Sequence, residues 1–482
     1  MKKLFFALSL SALLFAGCSK DDGPMPEPEP VGEEWIDPVF AQILQERGYI
    51  KNALTVTPSD VKDITKIDVS GNYYQDNEGN YITEGTIKSL RGLKYFESLE
   101  KLECYANQIS EIDLSQNTAL TYLDCDLNSL SSLDVSNNIA LTYLACDLNS
   151  LSSLDVSNNT ALTYLHCTYN SLTSLDVSDN TALTYLACDL NSLSSLDVSN
   201  NIQLTELHCT YNSLTSLDVS NNINLKLLYC AYNSINSPDI SNNTSLESLW
   251  CSSNALTSLD VSKNTALTEL FCYGSSLTSL DVTNNIALIE LSCFNNNLSS
   301  LDVSNNTALD GLNCSNNNLS SLDVSNNTAL NGLRCNYNNI SSLDMSNNTR
   351  LTFLECNYNN LPSLDMSNNT KLIYLWCSNN NLSSLDISNN IYLRDLECNY
   401  NNLLSIDVSN NTQLIALYCS FNNLSSINIS NNRELYWFEC FNNPGENGEF
   451  VVKAWFDNSS IPNGFTRSGW DGITLIYQNV DK

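Results

Sequence analysis

Seventeen of the eighteen cysteines, from Cys104 to Cys440, recur every 21 residues without a slip. A chain with that period returns one chemical group to one place again and again. It must therefore stack short, similar units in a line rather than close around a single core. Each turn opens on a leucine, from Leu99 to Leu435, and the segment Leu120 to Ala140, LTYLDCDLNSLSSLDVSNNIA, gives the pattern in full. At 482 residues an ordinary chain would be divided into several domains, but in a linear array length only counts turns.

Counting the opening leucine as position 1, the first seven residues alternate as a half-buried strand does. Positions 1 and 4 (Leu) and 6 (Cys) face inward, while 3, 5 and 7, with 8 just beyond, face outward. Parallel strands stack at about 4.8 Å, so seventeen turns make a sheet on the order of 80 Å long. An Asn three residues after each Cys runs from Asn107 to Asn443, broken only at Ser275. A second Asn column runs from Asn117 to Asn432 on the far side of the turn. Both are expected to bond backbone groups, because a buried amide without partners costs a few kcal/mol.

The first eleven positions, Leu-x-x-Leu-x-Cys-x-x-Asn-x-Leu, match the leucine-rich-repeat pattern with Cys in place of its third Leu. Over about three quarters of the chain the array resembles internalin-type leucine-rich repeats, especially the subclass with Cys at that site. The resemblance implies an α/β-type horseshoe solenoid. A long parallel β-sheet would line the concave face, with an irregular, extended or 3-10 convex side. It says little about function by itself.

The flanks read as caps and an anchor. Lys2 and Lys3 precede an apolar run from Leu4 to Phe15, too short to span a bilayer and shaped like a secretory signal. Ala16-Gly17-Cys18 resembles a bacterial lipobox, with Phe15 where that family usually has Leu. The resemblance implies cleavage after residue 17 and a lipid on Cys18. Ser19-Lys20-Asp21-Asp22 resembles the acidic export signal of Bacteroidetes-type surface lipoproteins, which implies an outer-membrane anchor facing the cell exterior. Residues 18–34, with Pro-Glu alternation in PMPEPEP, are an expected extended spacer. Residues 35–98 are expected to cap the array with a short helix, begun by Asp37-Pro38 and carrying Phe40, Ile43 and Leu44 on one face, followed by degenerate half-repeats. The repeats proper occupy 99–443. In 444–482, the alternations Phe450, Val452, Ala454, Phe456 and Ile473, Leu475, Tyr477, separated by a turn at Pro462-Asn463-Gly464, predict two short closing strands.

Composition narrows the function classes. Lys and Arg total 21 against 53 Asp and Glu, a net charge of -32, so the chain lacks the basic surface that nucleic acid requires. Seventeen equivalent inward cysteines are expected to be free thiols filling the core, although neighbours at about 4.8 Å lie within disulfide range. His166 and His208 stand two turns apart, about 10 Å, too far to share an ion. The Asp column from Asp113 to Asp407 could attract calcium to relieve its repulsion, but Asp beside Ser and Asn is more readily a backbone acceptor. No cofactor, triad, paired catalytic carboxylates or phosphate loop is indicated, so a non-enzymatic monomer is expected.

The concave face is where the turns differ. Position 3 carries Tyr122, Tyr143, Tyr164 and Tyr185 in file, and position 5 carries Tyr229, Trp250 and Phe271 in file, then Trp376 and Tyr418. With Tyr273 these aromatics, beside Asp124, Asp126, Asp147, Glu206 and Glu269, suit a protein hot spot or the apolar faces of a glycan. Cross-strand stacking that only stiffens the sheet is the competing reading. An adhesion-type protein ligand and a glycan captured for nutrient uptake are the two functions carried forward.

Overall fold

A computed structural model describes residues 30–76, 78, 81–457, 459–462, 465–468 and 473–477; the leader, Cys18, most of the spacer and Asn463-Gly464 lie outside them. The chain winds into a parallel solenoid whose main sheet has 19 strands in chain order, from Lys66–Asp68 in the amino-terminal cap to Thr466–Ser468 at the far end. Each strand of the repeats is only three residues long, as in Tyr122–Asp124, and the register sets identical positions side by side, Leu123 against Leu144 and Leu144 against Leu165. Inward Leu and Cys are fully buried in nearly every turn. Each such leucine contributes about 1.5–3 kcal/mol by leaving water. All seventeen repeat cysteines are buried free thiols, and burial pushes their ionisation well up, which keeps them unreactive.

The strands end because the chain turns over at position 8. From Ala106 to Asn442 sixteen non-glycine residues there have φ between 50° and 56°, and Gly274 takes 65° in the one remaining turn, the ninth. A left-handed residue costs a bulky side chain about 1–2 kcal/mol, so the turn needs fixing from outside. The Asn at position 9 does this. Asn128 Nδ2 donates to the carbonyls of Cys104, Cys125 and Asp126 at 3.0–3.1 Å, and its Oδ1 accepts from the Ile109 N–H at 3.0 Å, tying two turns together. Ser275 cannot reach that far: its Oγ meets the Asn254 carbonyl at 3.4 Å, and among the described residues the Leu256 N–H has no partner.

The convex side carries no helix; it is a run of turns closed by two further columns. Asn138 Nδ2 donates to the carbonyls of Leu114 and Asn117, and the pattern repeats to Asn432. In the Asp column each Oδ1 accepts the N–H two residues on, as Asp134 does from Ser136 at 2.9 Å, and bonds from the Ser136 hydroxyl and N–H hold the Asp134 carboxyl below its ordinary range. This is the backbone-acceptor role expected for aspartate next to serine.

At the amino end Asp37 caps the helix Pro38–Glu46 by accepting from the N–H groups of Val39 and Phe40, and Phe40 and Leu44 cover the first turns of the core. At the carboxyl end the two predicted strands are Phe450–Ala454 and Ile473–Tyr477, paired parallel in a small separate sheet with Ser426–Asn428. A third strand, Thr466–Ser468, pairs with Trp437–Glu439 and finishes the main sheet; it lacks the alternation that would announce it. Among the described residues no helix is long and apolar enough to cross a membrane.

Candidate ligand-binding site on the concave face

Strand geometry places positions 3 and 5 on the concave surface, and the aromatics there form one row rather than two. Tyr122, Tyr143, Tyr164 and Tyr185 stack with centroids 4.1–4.3 Å apart and planes within 7° of parallel. Lys101 Nζ closes the amino end of the stack, 4.3 Å from the centre of the Tyr122 ring. The step to the second file runs through His208, 5.3 Å from Tyr185 and 4.6 Å from Tyr229. Tyr229, Trp250 and Phe271 continue at 4.7 and 4.9 Å, tilted rather than stacked, and Trp250 is 39% exposed. The histidines thus gain a role as ring partners that their mutual distance alone did not suggest.

Other predicted site residues fall outside this row. Tyr273, at position 7, stacks on Phe294 at 4.3 Å, and its hydroxyl lies 3.4 Å from that of Tyr232. Trp376 packs edge-on to Phe353 at 5.7 Å, and Tyr418 is half-buried between the strands of Glu397 and Glu439, both further along the sheet. A second aromatic row was not singled out from sequence. The left-handed position 8 carries exposed Tyr169, Tyr211, Tyr232, Tyr337, Tyr358 and Tyr400 along one rim, with Tyr211 and Tyr232 stacked at 4.1 Å. The signal was available: a large ring in a conformation that favours glycine or asparagine is out of place unless it is used.

The outward polar column at position 7 proves to be part of the frame. Asp126 Oδ1 accepts from the Asp147 N–H at 2.6 Å and Asp147 Oδ1 from the Thr168 N–H at 2.8 Å. Ser252 Oγ and Asn336 Oδ1 do the same for Tyr273 and Asn357. Each bond supplies an acceptor to an N–H of the next turn. Asp147 also meets His166, Oδ2 to Nε2 at 2.7 Å, so the ligand-type atoms of Asp126, Asp147 and His166 lie within 4.8 Å of one another.

These acids stand in a poorly solvated row. Burial, then the charges of Asp147 and Asp124, push the Asp126 carboxyl up to about 8, against the lowering effect of the Asp147 N–H; burial likewise lifts Asp124 to about 6. A carboxyl whose folded pKa is raised binds its proton more tightly folded than unfolded, so its contribution falls as pH rises from the ordinary value near 4 to the raised one. Asp126→Asn keeps the acceptor, as Asn336 does in its own turn. It is expected to raise the melting temperature at pH 8 and leave it nearly unchanged at pH 4.5. Melting curves at the two values check this, and a loss at both would mean the carboxylate itself is required.

Comparisons with known proteins agree with this geometry. Neither a protein-family model nor a curated protein matches the chain. Among solved structures, the functional domain of InlJ from Listeria monocytogenes, described as including a cysteine ladder, is 34% identical over 80% of this chain and 80% of its own, with a TM-score of 0.65. An internalin, InlF, from the same species is 22% identical over 75% of this chain and 100% of its own, with a TM-score of 0.56. The ectodomain of the Arabidopsis receptor kinase HAESA, solved in complex with a peptide hormone ligand, is 21% identical over 80% of this chain and 72% of its own, with a TM-score of 0.63. The last two are likenesses of fold. Taken with the ladder of buried cysteines and the 21-residue turn, the InlJ match identifies the chain: it belongs to the internalin-like leucine-rich-repeat proteins.

Proposed function

We propose that this is a non-catalytic binding protein that holds a macromolecular ligand, a protein, against its concave face, and that a lipid on Cys18 displays it on the outside of the outer membrane. The observation that carries the reading is the continuous row from Tyr122 to Phe271. Eight large rings stand at positions the core does not need, and Trp250 in their midst is the most open. Rigid aromatic area of this kind is what anchors protein interfaces. The solved complex of HAESA with its peptide supports the reading, as an example of the same fold serving a polypeptide ligand.

A protein is favoured over a glycan by the stacking itself. A sugar ring needs an open aromatic face, but in the tyrosine file the faces are 4.1–4.3 Å apart and filled by one another. Purified folded protein probed against arrays of extracellular proteins and of polysaccharides tests this. Saturable binding to a protein is expected. Binding confined to polysaccharides would shift the assignment to glycan capture, and turnover of any array member would point to an enzyme.

The anchor has its own test. Cys18→Ala is expected to release the protein from membranes, and protease added to intact cells should digest the wild type. Variant protein still bound to membranes would refute lipidation at Cys18.

A further inference from the structure

The concave floor is interrupted once by missing side chains. Position 3 is glycine in two adjacent strands, Gly311 and Gly332, which pair directly. Glycine inside a strand weakens it and marks a place where something approaches the backbone closely. Nothing lies within 4 Å of where a Gly332 Cβ would be, and the Glu290 carboxylate lies across the corresponding place at Gly311. The result is a hollow of 270 Å³ over the two glycine strands, with Phe271 at one end and Phe353, four strands or about 19 Å away, at the other, edged by Glu290, Asp310, Asn331 and Arg334.

The charges in the hollow do not cancel. Arg334 is already engaged: its Nε meets Glu355 at 3.3 Å, and its guanidinium lies 4.5 Å from the centre of the Phe353 ring. Glu290 and Asp310 have no cationic partner among the described residues. Burial, with the charges of Asp310 and Glu269, raises the Glu290 carboxyl despite Arg334 across from it. Unbalanced carboxylates beside a bare backbone floor fit a group with a slender apolar stem and a cationic head, and repel a carboxylate or phosphate.

We propose that this hollow is a specificity pocket for a lysine or arginine side chain of the protein ligand, its stem laid over the bare backbone of Gly332 and its charge against Glu290 and Asp310. The proposal rests on the reading of the concave face as a protein-binding surface and names the chemistry that surface selects. The net charge of -32 would draw basic partners to any part of the molecule, so the pocket must be separated from that general attraction.

The probe is a capped Gly-Arg-Gly peptide, with its citrulline counterpart as the neutral isostere, titrated by NMR at physiological salt. Wild type is expected to bind the arginine peptide at least tenfold more tightly than the citrulline one. Gly332→Tyr fills the hollow and should fold, since its Cβ meets open space and tyrosine stands at that strand position in Tyr122, Tyr143, Tyr164 and Tyr185. It is expected to lose binding at least tenfold, and Glu290→Gln, which keeps the shape, likewise. Asp302→Asn removes the same charge from the exposed convex column and should change nothing. Equal binding of the two peptides, no binding by wild type, or equal losses in Glu290→Gln and Asp302→Asn would overturn the pocket. So would a neutral oligosaccharide bound by wild type and lost in Gly332→Tyr. Failure of the broader concave-face reading looks different: an array-identified partner would then be insensitive to substitutions in the aromatic row, whatever the peptide does.

Discussion

Asn296→Ala is expected to lower the free energy of unfolding by about 3 kcal/mol or more, a large effect for a polar substitution. The Asn296 amide donates to the carbonyls of Cys272, Cys293 and Phe294 at 3.0, 3.0 and 3.4 Å, and its oxygen accepts from the Leu277 N–H at 3.0 Å. Alanine leaves that N–H buried without an acceptor, at a cost of about 1–3 kcal/mol, and removes the donor that joins two turns. Because a solenoid is coupled only through neighbouring turns, the unfolding transition should also broaden. Asn305, which is exposed and bonds the Thr283 carbonyl at 3.0 Å on the convex side, is the control. Its alanine variant should stay within about 0.5 kcal/mol of wild type. Denaturant melts of the two variants check the prediction, and similar small losses in both would show that the position 9 column does not hold the turns together.

Much of this frame could be read before any coordinates, because the period forces every turn to solve the same problem in the same way. The inward leucines and cysteines, the concave sheet, both Asn columns and the Asp caps all follow from residues repeated at fixed positions. What escaped reading is where several residue types do one job. Position 7 shows Asp, Thr, Ser and Asn in different turns and so resembled variable surface. In the structure Asp126, Ser252 and Asn336 are interchangeable acceptors for the next N–H. The strand Thr466–Ser468 was missed because its pairing comes from the stacking of the solenoid rather than from its own alternation.

The candidate site was legible in its parts and not in its joins. The two aromatic files could be read from their columns, but they lie at positions 3 and 5, and only the side-chain directions show that His208 connects Tyr185 to Tyr229. The hollow at Gly311 and Gly332 was invisible for the opposite reason. It is made by side chains that are absent, and two glycines in a long repeat acquire meaning only when their strands are seen to be neighbours.

Trp250→Ala with Phe271→Ala is the second large effect, expected to weaken the partner found on the protein array by at least about 2 kcal/mol, roughly thirtyfold. Both rings lie on the outward side of strands whose central Leu249 and Leu270 carry the core contacts, and Trp250 is 39% exposed. Their removal forfeits ring contacts with Tyr229 and each other, each about 0.5–1.5 kcal/mol, without opening a cavity in the core. The stability change should therefore be modest while the loss of affinity is large. The direct test is to measure melting temperature and partner affinity on this one double variant. An affinity loss of thirtyfold or more, with melting within a few degrees of wild type, is the predicted result. Unchanged affinity with a clearly lowered melting temperature would contradict it and leave the row as cross-strand packing alone.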